Sequence, residues 1–128
     1  MSVNGRNKGA AFERFIASEI HRTTGFVVQR NLEQYRAREQ GDLLGVPGWT
    51  IECKHYRTGA MFKPEWWHQV EAAALASGNN PALVFRFNRQ PIWVAIDSGC
   101  RSLGYTPTLA SFKSPIVLAF EDWLSLLA

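Results

Sequence analysis

Two acidic side chains and a lysine stand at spacings that could build a phosphodiester-cleaving centre. The stretch from Gly41 to Lys54 reads GDLLGVPGWTIECK. Within it Trp49, Ile51 and Cys53 alternate with Thr50, Glu52 and Lys54, which is the period of a strand. Glu52 and Lys54 therefore share a face, a carboxylate beside an ammonium. Asp42 lies upstream, across the turn signal Pro47-Gly48, and can fold back beside them. Carboxylate oxygens suit Mg²⁺, which binds through one or two carboxylates and keeps several waters. Such an ion lowers the pKa of a bound water and offsets charge on a phosphate. A neighbouring lysine can orient that water or stabilise the charge that develops. An E-x-K triplet alone is frequent by chance, in surface hairpins where the pair is merely solvated. An acid ahead of the triplet across a tight turn is a far more specific pattern.

The register of the hairpin is a check on this reading. A two-residue loop at Pro47-Gly48 would pair Val46 with Trp49 and set Asp42 opposite Cys53. Directly opposite residues share a face, so Asp42 would then be turned away from Glu52. A three-residue loop or a single bulge sets Asp42 opposite Glu52 instead. The site thus predicts an odd-length turn or a bulge between Asp42 and Glu52.

Asp42, nine intervening residues and then Glu52-Cys53-Lys54 resembles the signature of the PD-(D/E)xK nucleases. The upstream run Asn7-Lys8-Gly9-Ala10-Ala11-Phe12-Glu13-Arg14 is similar to the first helix of archaeal-type Holliday-junction resolvases and small phage relatives. There a basic residue and a glycine precede a glutamate that stands four positions after the glycine. The resemblance extends through the second expected helix; beyond it only the order of elements agrees. One departure is Gly41, which stands where the family name has proline. The resemblance implies a restriction-endonuclease-like αβββαβ core and a metal-dependent, structure-specific DNA endonuclease, most like a Holliday-junction resolvase. Asp42 and Glu52 would bind Mg²⁺, with Mn²⁺ substituting and the Cys53 carbonyl as a further ligand. Glu13 would complete the site directly, through water or at a second ion, and Lys54 would activate or hold the attacking water. The products would carry a 5′-phosphate and a 3′-hydroxyl. A resolvase cuts two strands symmetrically, so a twofold homodimer follows from that function. The helix after E-x-K often turns a polar residue back toward such sites, which makes Gln69 a weak auxiliary candidate. The rivals are a nuclease for flaps, nicks or linear duplex, and a non-catalytic nucleic-acid-binding module of the same fold.

At 128 residues the chain is expected to be one domain, 1–128, with room for a real core. No apolar run approaches the roughly 20 residues of a membrane span, and the polar start MSVNGRNKG is not a signal peptide. Cys53 and Cys100 have no metal-ligand spacing, so structural zinc is not expected. A reducing, cytoplasmic location is the default, the host cytoplasm for a phage-encoded chain. The net charge of +3 is unevenly placed: residues 1–40 hold seven bases and four acids, and the remainder holds seven of each. That suits a polyanionic partner. Arg6, Lys8, Arg30, Arg36 and Arg38 are the candidate nucleic-acid contacts, with Tyr35 available to stack on bases.

The elements that must position these groups can be read in order. Residues 8–24 predict a helix with Phe12, Phe15, Ile16 and Ile20 in one stripe, stopped by Gly25. Glu13 sits at the edge of that stripe, and Glu19 is the competing acid. Residues 26–30 read as a strand and 31–40 as a polar loop. Pro64 opens a helix over 64–77, with Trp66, Trp67, Val70, Ala73, Ala74 and Ser77 on its apolar face. Residues 82–87 and 92–96 read as a hairpin, 97–114 as loop and 116–120 as a last strand. A terminal helix begins at Glu121-Asp122, acids that suit the helix dipole, and its Trp123, Leu124, Leu126 and Leu127 need cover. The order gives an α/β fold, a mixed central sheet flanked by helices.

Overall fold

The structure, a computed structural model, describes residues 3–32, 41–99 and 115–127, with side chains from residue 8 onward. The elements are α1 (Val3–Thr24), β1 (Gln29–Arg30), β2 (Leu43–Leu44), β3 (Trp49–Tyr56), α2 (Pro64–Ser77), β4 (Asn80–Phe87), β5 (Trp93–Asp97), β6 (Pro115–Ala119) and α3 (Phe120–Leu127). Among the described residues six strands form one sheet, in sequence order. Only β3 and β4 run parallel; every other neighbouring pair is antiparallel. A parallel pair needs a crossover, and α2 supplies it. Its start and stop are written locally: proline in the first turn, and Gly78 in the left-handed conformation at the C-cap.

Two apolar layers cover the sheet. On one face Phe12, Ile16 and Ile20 of α1 and Phe120, Trp123 and Leu124 of α3 pack on Leu43, Trp49, Ile51, Val84 and Val94. The Trp123 ring meets the Trp49 ring edge-on at 5.7 Å. On the other face Trp66, Trp67 and Val70 of α2 pack on Leu83, Phe85, Phe87 and Ala95. Among the described residues no helix is long and apolar enough to cross a membrane.

Several expectations shift. The first helix begins at Val3 rather than residue 8, and the first strand keeps only two of its five residues. Phe15, placed in the buried stripe, is 48% exposed, and the stripe is completed by Ala17 instead. Ser77 is exposed at the end of α2. The loop 31–40 beyond Leu32, and the loop 97–114 from Cys100 onward, lie outside the described residues.

Candidate active site

The strand β3 carries the centre of the site. Its register to β4 is unbroken from Trp49↔Asn80 to Tyr56↔Phe87, so side chains alternate strictly along it. Thr50, Glu52, Lys54 and Tyr56 face α2, as the Asn79–Thr50 hydrogen bond and the Tyr56–Trp66 ring stack mark at the two ends. Trp49, Ile51, Cys53 and His55 face α1, where the His55 ring lies 5.2 Å from that of Phe12. Glu52 is 1% exposed and Lys54 half-buried.

Asp42 stands at the outer edge of β3. The pairing Leu43↔Ile51 puts Asp42 opposite Glu52 by extension and leaves Val46-Pro47-Gly48 as a three-residue connection. This is the odd-length turn that the site requires. Its amide N–H donates to the Ile51 carbonyl at 2.7 Å, and its own carbonyl accepts from the Asn31 N–H at 2.8 Å. Its carboxylate Oδ2 accepts the Cys53 N–H at 2.7 Å. Backbone and side chain together hold it against the Glu52-Cys53-Lys54 triplet. Gly41 explains the departure from proline: its φ is +75°, and a Cβ there would fall 2.6 Å from the Ile51 carbonyl oxygen. Only glycine adopts that conformation without strain, and proline, fixed near −65°, is excluded.

Glu13 comes from α1 across the edge. Its carboxylate lies 3.5 Å from Arg30 Nη2. Burial pushes the Glu13 carboxyl above its usual range, and the Asp42 carboxylate pushes the same way, against Arg30 and Arg14. The Cys53 thiol is driven well up by burial first, then by the charges of Asp42, Glu13 and Glu52, against Lys54. The Cys53 thiol thus feels the charge of each of the four sequence-predicted groups. The competing acid Glu19 is engaged elsewhere, forked onto Arg22 of its own helix at 2.9 Å, so Glu13 is the acid that meets Asp42.

The carboxylates arrive from different directions: Glu13 from the α1 side, Glu52 from the α2 side, and Asp42 at the edge between. Among the described residues no three His, Cys, Asp or Glu side chains stand close enough to cage an ion. The donor set nonetheless suits a hard divalent cation. Its groups are carboxylates and a strand carbonyl, and such a cation would offset both the burial and the Asp42 charge that raise the Glu13 carboxyl.

The other expected contacts divide. Lys8 Nζ donates to Asn88 Oδ1 at 3.0 Å, and His55 Nε2 lies 2.9 Å from the same oxygen. Burial pulls His55 below its usual value, and the Lys8 and Arg86 charges pull the same way, outweighing Asn88. Arg30 is turned onto Glu13, with its Nε buried and without a hydrogen-bond partner. Arg6 lies in α1, its side chain outside the described part, and Tyr35, Arg36 and Arg38 lie outside the described residues. Gln69 is exposed on α2. Asn88, which meets both Lys8 and His55, and Tyr56, next on the Glu52–Lys54 face, were not among the expected residues. Nothing local ties residue 88 to residue 8. Tyr56, by contrast, could have been found from the same alternation that places Glu52 and Lys54.

Among solved structures the chain is similar in fold to Hjc from Archaeoglobus fulgidus, a Holliday junction resolvase from an archaeal hyperthermophile. Identity is 16%, the TM-score is 0.52, and the match covers 89% of this chain and 85% of that one. No curated protein matches. The sequence itself matches the family described as phage putative PDDEXK endonuclease over residues 4–111, and with that span of agreement the chain belongs to this nuclease family.

Proposed function

We propose that the chain is a divalent-metal-dependent endonuclease that cuts branched DNA, with the four-way junction as its preferred substrate. The observation that carries this is the Asp42 carboxylate fixed on the Cys53 N–H, opposite Glu52 and electrostatically joined to Glu13. Asp42, Glu52 and the Cys53 carbonyl would hold Mg²⁺ or Mn²⁺, with Glu13 completing the set. The ion would supply an acidified water and charge neutralisation at the phosphate. Lys54, two residues from Glu52 on the same face, holds the nucleophilic water and stabilises charge on the phosphoryl oxygens. The burial of Glu52 keeps its carboxylate in one orientation and strengthens its field. Symmetric cutting of a junction requires two such sites, hence a twofold dimer. The place of work would be the host cytoplasm.

The test is a cleavage panel of four-way junction, flap and linear duplex in Mg²⁺ and in Mn²⁺. The expected result is metal-dependent cutting that is strongest on the junction. Glu52→Gln and Lys54→Ala abolish cutting while junction binding stays measurable. Persistent cutting by either pure variant refutes these roles. Tight binding with no cutting of any substrate in either metal refutes the enzyme.

A further inference from the structure

Two residues beyond Lys54, on the same face of β3, the structure carries an aromatic ring that no step above uses. Tyr56 is 44% exposed. Its inner side lies on Trp66 at 4.8 Å between centroids and 14° between planes. Trp66 is 8% exposed and is held in turn by Phe87 at 6.2 Å, with Lys63 Nζ 5.9 Å from its ring. Tyr56 is thus a large aromatic with one side fixed by a buried partner and substantial area left to solvent. Arg57, the next residue, is exposed, as is Lys63. An exposed ring backed by a second aromatic, with a lysine over that partner, suits unpaired nucleotides, because every base has a face to stack and every phosphate a charge to meet. The strand rise of about 3.3 Å per residue sets Tyr56 about 7 Å past Lys54. That is roughly two stacked base steps of about 3.4 Å each.

We propose that Tyr56, backed by Trp66, is a stacking platform for an unpaired DNA base beside the scissile phosphate. This rests on the nuclease reading of the neighbouring carboxylates and gives that reading a basis for substrate choice. Bases inside an intact duplex are already stacked on both sides and cannot reach the ring without first being unpaired. At a branch point a base pair can lose a stacking neighbour, so opening it costs less than inside a duplex. The backing by Trp66 fixes the ring before DNA arrives, so little rotamer freedom is lost on binding. The phenolic hydroxyl plays no part in stacking, so phenylalanine should serve equally.

The experiment uses the full chain in EDTA, with a fluorescent base analogue placed at the branch point of a four-way junction or within a linear duplex. Stacking on the ring quenches the junction probe in the wild type and in Tyr56→Phe. Tyr56→Leu loses the quench and binds the junction about tenfold more weakly, with duplex binding unchanged. A Tyr56→Leu chain that quenches and binds as the wild type does overturns the platform. The wild type alone is also decisive: a junction probe whose fluorescence does not fall when the protein binds, or no binding to the junction, overturns it without any variant. Quenching in a chain that cuts nothing in the metal panel keeps the platform and removes the nuclease.

Discussion

Restoring the proline of the family name at position 41 should damage this protein, and the size of the damage can be worked from the structure. In Gly41→Pro the backbone must turn from a φ of +75° to about −65°. That rotation swings Asp42 away from β3. It breaks the Asp42 N–H bond to the Ile51 carbonyl, worth about 1 kcal/mol, and the carboxylate bond to the Cys53 N–H, worth about 2 kcal/mol as a charge-assisted pair. The loss is about 3 kcal/mol. At roughly 4 °C per kcal/mol for a domain of this size, Tm falls by about 12 °C. Gly41→Ala should fall in between, since alanine can enter the left-handed region at about 1–2 kcal/mol but its Cβ still meets the Ile51 carbonyl. The assay is thermal unfolding by circular dichroism, paired with cleavage in Mg²⁺. A Gly41→Pro chain that melts within about 3 °C of the wild type and cuts normally would show that Asp42 is not held in the way described.

Other expectations follow from the same contacts. In EDTA, the raised Glu13 carboxyl contributes stability that is complete below its ordinary value near 4.5 and is lost as pH rises through its folded value. The Tm of Glu13→Gln relative to wild type should therefore climb from pH 4 toward neutrality; a difference flat with pH would mean that Glu13 is neither buried nor crowded by Asp42 as described. Asp42→Asn should abolish cutting yet melt within about 1 kcal/mol of wild type, because its amide oxygen still accepts the Cys53 N–H. A calorimetric loss several times larger would contradict that. Trp123→Ala removes a fully buried ring seated on Trp49 and should cost about 3–5 kcal/mol. Denaturant unfolding would read it, and a cost under about 1 kcal/mol would place the ring outside the core.

Much of this arrangement is legible in the residues because local rules govern it. The alternation of Trp49 to Lys54 fixes which side chains share a face, and the unbroken pairing with β4 extends it two residues further. Pro64 and Gly78 bracket α2 at its observed bounds. The odd-length turn is legible because a carboxylate on the wrong face could not serve the site. What fails to show is whatever depends on residues distant in sequence. Phe15 has the right spacing for the stripe, but α1 turns Ala17 toward the sheet instead. Residues 26–28 are β-branched or aromatic, yet β2 is too short to pair with them. Arg30 reads as a phosphate contact, and nothing in its local sequence announces its pairing with Glu13.

The short reach of β2 has one more consequence. Beyond Ile51, the Cys53 amide meets a side-chain oxygen where a neighbouring strand would have offered a carbonyl. Asp42 thereby blunts an open strand margin that could otherwise template pairing between molecules. An inactive chain made with alanine at position 42 would uncover that margin and is expected to self-associate at high concentration. Asparagine, which silences the carboxylate while keeping the amide covered, is the better disabled form for trapping bound DNA.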